Sequence, residues 1–197
     1  MSKITAFLKE IVSLLLTLAV MLLAIKLVFF YVAEPFIVNG RSMDNTLQSG
    51  ERLLMLKQNK IERFDVVVFP SPIEADKLFI KRVIGLPGDT IEYKNDQLIL
   101  NGHALTEPYL QDLAQQTSGP FTYDFRLQDV TGEQKVPQGK LFVMGDNRRN
   151  SLDGRSFGFI NLEDIVGEAD LVHWPLDKIH LLDQYNLSAD GQEIVKE

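Results

Sequence analysis

Cysteine is missing from all 197 residues. That excludes a disulfide framework and any thiolate metal site. It suits an exported domain without requiring one, since cytosolic proteins lack cysteine as well. Basic residues are in deficit: 20 Lys and Arg against 27 Asp and Glu leave a net charge of −7. A nucleic-acid partner, which needs a basic surface for phosphate, is therefore disfavoured. Histidine is scarce, and none of His103, His173 and His180 shows metal-ligand spacing or a motif with an acidic orienter. Surface or edge roles fit them better than chemistry. Internal repeats are absent, and helical periodicity is thin outside one segment. What remains is 45% hydrophobic and 24% charged, the balance of a folded chain long enough for one or two small domains.

The single long apolar run lies at residues 11–33, IVSLLLTLAVMLLAIKLVFFYVA, interrupted only by Ser13, Thr17 and Lys26. At 1.5 Å per residue it reaches roughly 35 Å, enough to cross a bilayer core. Lys26 lies about two turns from the end, where its stem can carry the charge toward headgroups. Lys3 and Lys9 precede the run and Glu34 follows it, which predicts a cytoplasmic amino terminus and an extracytoplasmic body. A cleaved leader would have a shorter core, of ~7–15 residues, ending in small residues. This run is longer and closes on bulky aromatics, so a retained anchor is the expectation.

After Pro35 the pattern turns to short runs and frequent turns. Strands are expected at Val66–Phe69, Phe79–Ile84, Thr90–Tyr93, Gln97–Leu100, His103–Leu105, Leu141–Met144 and Ile165–His173. Asn95-Asp96 and Asn101-Gly102 are tight-turn signals between them. The fold class is mostly β: one transmembrane helix followed by an antiparallel β-sheet domain. The expected division is a cytoplasmic segment at 1–10, the anchor at 11–33, a body at 34–105 and 140–182, a small inserted β lobe at 106–139, and a polar tail at 183–197 that frays.

Ser42 sits in the Gly-punctuated turn VNGRSMDNTLQSG, residues 38–50. A serine hydroxyl is a poor nucleophile until a base takes its proton. With no suitable histidine, lysine is the other choice. At its ordinary pKa only about one lysine in a thousand is neutral near pH 7.5. Burial lowers that pKa, and about three units cost roughly 4 kcal/mol. A basic lysine should thus sit in an apolar strand. Lys57, Lys60, Lys94, Lys135 and Lys196 lie in polar stretches, whereas Lys81 lies in LFIKRVIGLPGD. On a strand Phe79, Lys81 and Val83 share one face and Ile80, Arg82 and Ile84 the other. A strand-edge lysine reaching solvent satisfies the same pattern.

Three segments together resemble type I signal peptidases, the membrane-anchored Ser/Lys proteases of bacteria: GRSMDNTL at 40–47, FDVVVFPSP from Phe64 continued by KRVIGLPGD from Lys81, and MGDNRRNSLDGRSFGFI at 144–160. They stand in the family's order behind an amino-terminal anchor, and the single span resembles the short Gram-positive forms. The resemblance implies Ser42 as nucleophile, Lys81 as general base, and the Ser42 N–H as an oxyanion donor. Ser151 matches the serine that hydrogen-bonds and orients the lysine amine. Asp146, Asn147 and Arg148 belong to the same signature. Asp153 and Arg155 match a bracing pair, expected to be exposed and worth well under 1 kcal/mol. Gly40 stands where some members carry a serine that adds a second oxyanion donor, Arg149 where many carry an acidic residue, and Gly154 where serine is common.

The implied substrates are secreted preproteins cut after Ala-X-Ala sites, bound as an added strand, with the lipid bilayer and the secretion translocon as partners. No cofactor is needed, since the lysine moves the proton. The chain between Ala33 and Ser42 extends at most ~30 Å, so the nucleophile stays near the membrane surface. Met43, Phe36 and Ile37 are candidates to touch substrate or lipid, or to pack within the body, and Gly40 is a candidate substrate or membrane contact. A tethered β domain that binds without catalysis, or a self-cleaving Ser/Lys protease, are the alternative readings.

Overall fold

The computed structural model describes residues 3–57 and 60–197. Helix α1, Lys3–Tyr31, contains a stretch, Thr5–Tyr31, long and apolar enough to cross a membrane. Its large apolar side chains stand exposed all round. The apolar run expected to 33 ends its helix at Tyr31. Pro35 accounts for this, because it cannot continue a helix and pushes the residue before it to extended backbone.

The remaining elements, in chain order, are β1 Ala33–Ile37, β2 Arg52–Leu56, β3 Val66–Pro70, β4 Leu78–Gly85, β5 Ile91–Lys94, β6 Gln97–Leu100, β7 His103–Leu105, α2 Gln111–Gln115, β8 Phe125–Arg126, α3 Leu127–Thr131, β9 Lys140–Met144, α4 Gly154–Phe157, β10 Ile160–Asn161, β11 Gly167–Trp174, β12 His180–Leu181, β13 Tyr185–Leu187 and β14 Ile194–Lys196. The main sheet runs β1-β2-β11-β3-β4-β9-β10, with β12 added to β11. Strands β1 and β2 are absent from the sequence expectation. Pro35 masks the first; it is tolerated there because β1 is an edge strand.

The junction with α1 is tied down by one residue. The Lys57 backbone N–H donates to the Val32 carbonyl at 3.0 Å. Its amine pairs with Glu34 at 2.7 Å and reaches the Phe30 carbonyl at 3.4 Å. A cation at the carbonyl end of a helix also complements the helix dipole.

A second sheet, β7-β6-β5-β8, stands apart. Its hairpins follow the turn chemistry: Asn95 and Asp96 have φ of 52° and 63°, and Asn101 and Gly102 have 52° and 87°, the paired left-handed residues a two-residue hairpin needs. The small sheet draws on residues 91–126, so its strands begin before the 106–139 stretch that the polar composition marks. Alternating strands read alike whichever sheet they join. The polar tail also forms a hairpin, β13 with β14, and Ile194 is buried against the small-sheet core with Tyr185 and Leu187.

Strand β4 shows why burial and polarity meet at one place. Ile80 packs with Val66 and Val68 on one side, while Val83 packs with Val67, Phe69, Leu141 and Val143 on the other. Both faces of the strand are covered, so any charged side chain on it must be buried. Lys81 and Arg82 are 3% and 1% exposed.

Candidate active site

Three segments converge: the turn after β1, strand β4, and the loop from Gly145 to Asp153 after β9. The Lys81 Nζ lies 2.8 Å from Ser42 Oγ and donates to the Ile80 carbonyl at 2.9 Å. It also sits 5.0 Å from the centre of the Phe79 ring. Burial lowers the amine from its ordinary 10.5 to about 8, against the opposing pull of the Asp153 and Asp146 carboxylates. A neutral amine has two N–H groups and one lone pair. With one N–H on Ile80, the lone pair is free for the Ser42 O–H.

The nucleophile's turn is held by its backbone. Asn147 N–H donates to the Ser42 carbonyl at 3.0 Å, and its side-chain amide donates to the Arg41 carbonyl at 3.0 Å. Asn45 reaches the Tyr109 carbonyl at 3.1 Å. Gly145 is packed against the turn: a Cβ built there would come within 2.5 Å of the Ser42 carbonyl oxygen and would meet the Ser151 hydroxyl. Gly40 opens the turn with φ +99° and open space beside it, so backbone conformation rather than room calls for glycine.

Two buried ion pairs brace this arrangement. Asp146, fully buried, accepts from Arg82 Nε at 2.9 Å and Nη2 at 2.6 Å, and from the Thr46 hydroxyl at 2.5 Å. Arg82 adds a bond to the Phe64 carbonyl at 2.8 Å and lies 4.1 Å from the Tyr109 ring centre. Arg148 binds Glu107 through both terminal nitrogens, at 2.9 and 2.5 Å, and the Gly145 carbonyl through Nε at 3.0 Å. Tyr93 and Tyr109 hydroxyls complete Glu107 at 2.9 and 2.7 Å. Arg148 thereby links the small sheet to the loop beside Ser42.

The Asp153–Arg155 pair differs from its expectation. Asp153 is 0% exposed and takes a forked contact from Arg155 at 2.9 and 2.8 Å, plus the Gly145 N–H at 3.0 Å. It also caps α4. Burial pushes its carboxyl up, but the Arg155 fork and the Gly145 N–H outweigh that and hold it below the usual range. The pair is interior because helix α4 folds back over β9, which a two-residue spacing does not reveal.

Two further residues are corrected. Met43, expected as a substrate or membrane contact, is 1% exposed and packs with Val38, Leu47 and Leu53 in the core. The turn that exposes Ser42 rotates its neighbour inward. Ser151 is beside Gly145, yet its hydroxyl makes no hydrogen bond among the described residues, to Lys81 or any other group. Ile80 takes the bond that Ser151 was expected to accept. Arg82 and Glu107 went unnoticed in the sequence. Arg82 carried a usable signal, a charge inside an apolar strand that needs a buried partner; Glu107 carried none.

A cleft of about 200 Å³ opens on Ser42 and Lys81, walled by Phe36, Leu78, Phe79, Ile80 and Leu152. None of the three histidines lines it. Beside it, Leu78–Lys81 of β4 pair with β3 on one side only, since β9 meets β4 from Arg82 onward.

The family model described as signal peptidase, peptidase S26, matches residues 8–174. Signal peptidase I of Bacillus caldolyticus is 46% identical over 150 residues, covering 74% of this chain and 81% of that protein. Signal peptidase IB of Staphylococcus aureus (strain MRSA252) is 35% identical over 192 residues, covering 93% and 97%. A crystal structure of a signal peptidase I from Enterococcus faecalis V583 aligns with a TM-score of 0.54 at 42% identity, covering 56% of this chain and 97% of that one.

Proposed function

The chain belongs to the signal peptidase family, peptidase S26, and we propose that it performs that family's reaction with a Ser42–Lys81 dyad. It is a serine endopeptidase of the signal peptidase I type, acting on preproteins that carry signal peptides. One observation carries the assignment of the dyad: a lysine amine, 3% exposed as a residue, at 2.8 Å from the Ser42 hydroxyl.

In this reading Ser42 Oγ attacks the scissile carbonyl carbon as its proton passes to the Lys81 lone pair. The carbonyl oxygen becomes an oxyanion facing the Ser42 N–H, which has no acceptor among the described residues. One such donor contributes about 10²–10³-fold. The Lys81 ammonium then returns the proton to the leaving amine, freeing the mature protein. Neutral again, Lys81 takes a proton from water, which attacks the acyl-enzyme and releases the signal peptide. Asp146, Asn147, Arg148, Asp153 and Arg155 support the geometry, and Ser151 supports it through its packing on Gly145.

The open edge of β4 supports binding of the substrate as an added strand. The small volume of the cleft and its apolar walls of Phe36, Leu78, Phe79, Ile80 and Leu152 support small side chains at the alanine positions of an Ala-X-Ala site. Helix α1 is the proposed single span, with the amino terminus in the cytoplasm, the β body outside, and the bilayer and secretion translocon as partners.

The test is cleavage of a preprotein bearing an Ala-X-Ala site by the full chain in lipid vesicles. Cleavage after the second alanine, lost in both Ser42→Ala and Lys81→Ala, supports the dyad. An unchanged rate in Lys81→Ala would assign the base elsewhere.

A further inference from the structure

The segment Arg149–Leu152 is a wall with two faces. Asn150 and Leu152 line the cleft that holds Ser42 and Lys81. Arg149 and Ser151, the alternate residues, line a second depression of about 340 Å³ together with Tyr123, Phe125 and Arg155. The two hollows are thus separated by one thickness of backbone. Gly145, in contact range of both the Ser42 carbonyl and the Ser151 side chain, shows how near the second hollow comes to the nucleophile.

The charge in that hollow is uneven. Arg155 is neutralised by Asp153, and Arg148 beneath it by Glu107. Asp124 also lines the hollow and accepts the Asn95 backbone N–H at 2.8 Å. Arg149 has no carboxylate within ion-pair distance among the described residues. Its guanidinium is nonetheless held in place, donating to the Pro120 carbonyl at 2.5 Å and lying 4.6 Å from the Tyr123 ring centre. A cation fixed in advance loses little side-chain freedom when an anion arrives.

The geometry points to a subsite for the mature portion of the substrate, in which Arg149 selects acidic side chains shortly after the scissile bond. The inference rests on the dyad reading above. On that reading the signal-peptide side fills the cleft walled by Phe79 and Leu152, and the mature side is assigned to the path across the Asn150–Leu152 wall that the two hollows share. An extended chain advances roughly 3.3 Å per residue, which brings about the second to fourth mature residues over the second hollow. A carboxylate there meets Arg149, which lines the hollow without an ion-pair partner among the described residues. An exposed pair of this kind is worth about a two- to fivefold preference.

The experiment uses the full chain in phosphatidylcholine vesicles and three preproteins that differ only at mature positions two to four: Asp, Asn or Lys. The expected order of kcat/KM is Asp over Asn over Lys, about two- to fivefold per step. Arg149→Ala should flatten the order and Arg149→Glu should invert it, whereas Arg126→Glu, outside the hollow, should keep it. Inversion by charge swap is a result that loosened structure does not produce. Equal cleavage of all three by the wild type, an Asp preference that survives Arg149→Glu, or inversion by Arg126→Glu would each overturn the proposal. So would a preference seen only with anionic lipid in the vesicles, which would make the hollow a headgroup site. Loss of cleavage of every substrate would instead strike the dyad reading, and this inference with it.

Discussion

The backbone N–H of Asn147 donates to the carbonyl oxygen of Ser42 at 3.0 Å. The nucleophile's peptide plane is therefore set by a loop more than a hundred residues downstream, and the loop is set in turn by its own buried contacts. Changes well away from the hydroxyl should reach it through this path.

Activity should rise with pH through the lysine titration. Burial holds Lys81 at about 8. Below that value the amine is charged and has no lone pair, so the rate falls about tenfold per pH unit on the acid side. A pH profile of kcat/KM from 6 to 10 on a preprotein checks this. A profile flat over that range would remove Lys81 from the proton path.

Neutralising Asp153 should move that profile toward acid. Its carboxylate is the foremost charge opposing the drop in the Lys81 pKa. In Asp153→Asn the ammonium loses that support, the pKa falls further, and the midpoint shifts down. The maximum rate should fall as well, because Arg155 and the Gly145 N–H lose their acceptor. The two effects separate in the same profile.

Lys81→Met should stabilise the protein while abolishing its activity. The amine is displaced downward from 10.5 to about 8. Below pH 8 the folded chain must hold a buried charge or give up a proton that the unfolded chain keeps. At 1.36 kcal/mol per pH unit this costs the wild type about 3 kcal/mol below pH 8, and the cost fades as pH rises toward 10.5. Denaturant melts at pH 6.5 and pH 10 should show the variant ahead at the first and near parity at the second.

Gly145→Ala should damage catalysis more than folding. The added methyl would press on the Ser42 carbonyl and the Ser151 side chain. Backbone on one side cannot yield without moving the nucleophile. The expected result is a fall in kcat of about 10²-fold, the scale of a 1 Å misplacement, with KM changed much less. Single-turnover kinetics with the same preprotein checks it.

Asp146→Asn should cost about 3–5 kcal/mol in stability, since it leaves the Arg82 guanidinium buried without its counter-charge. The paired change Arg82→Met with Asp146→Leu should recover much of that loss. Urea midpoints of the two variants and the wild type measure it.

Much of this organisation is legible in local sequence, and the reason is the range of the forces involved. The β5–β6 and β6–β7 hairpins are readable because Asn95-Asp96 and Asn101-Gly102 carry their own turn conformations. Lys81 stands out as an amine inside the apolar strand LFIKRVIG, a pattern that a solvent-reaching edge lysine also fits, and the motif resemblance is what singles it out. Arg82–Asp146 and Arg148–Glu107 join residues 64 and 41 apart, and nothing near either partner announces the other. Met43 is misread for a related reason: a turn residue's facing depends on how the turn is seated, which Asn147 and Asn45 decide from afar.

The Lys57 clasp makes the end of α1 and the sheet carrying the dyad a single lever. With α1 in a bilayer, the helix acts as a gauge whose length fixes the working height of the cleft. Adding one helical turn between the lipid and Tyr31 would raise that height by about 5.4 Å and turn the groove about the helix axis. Which bond of a threaded signal peptide lies level with the blade would then be decided by the anchor as much as by the cleft.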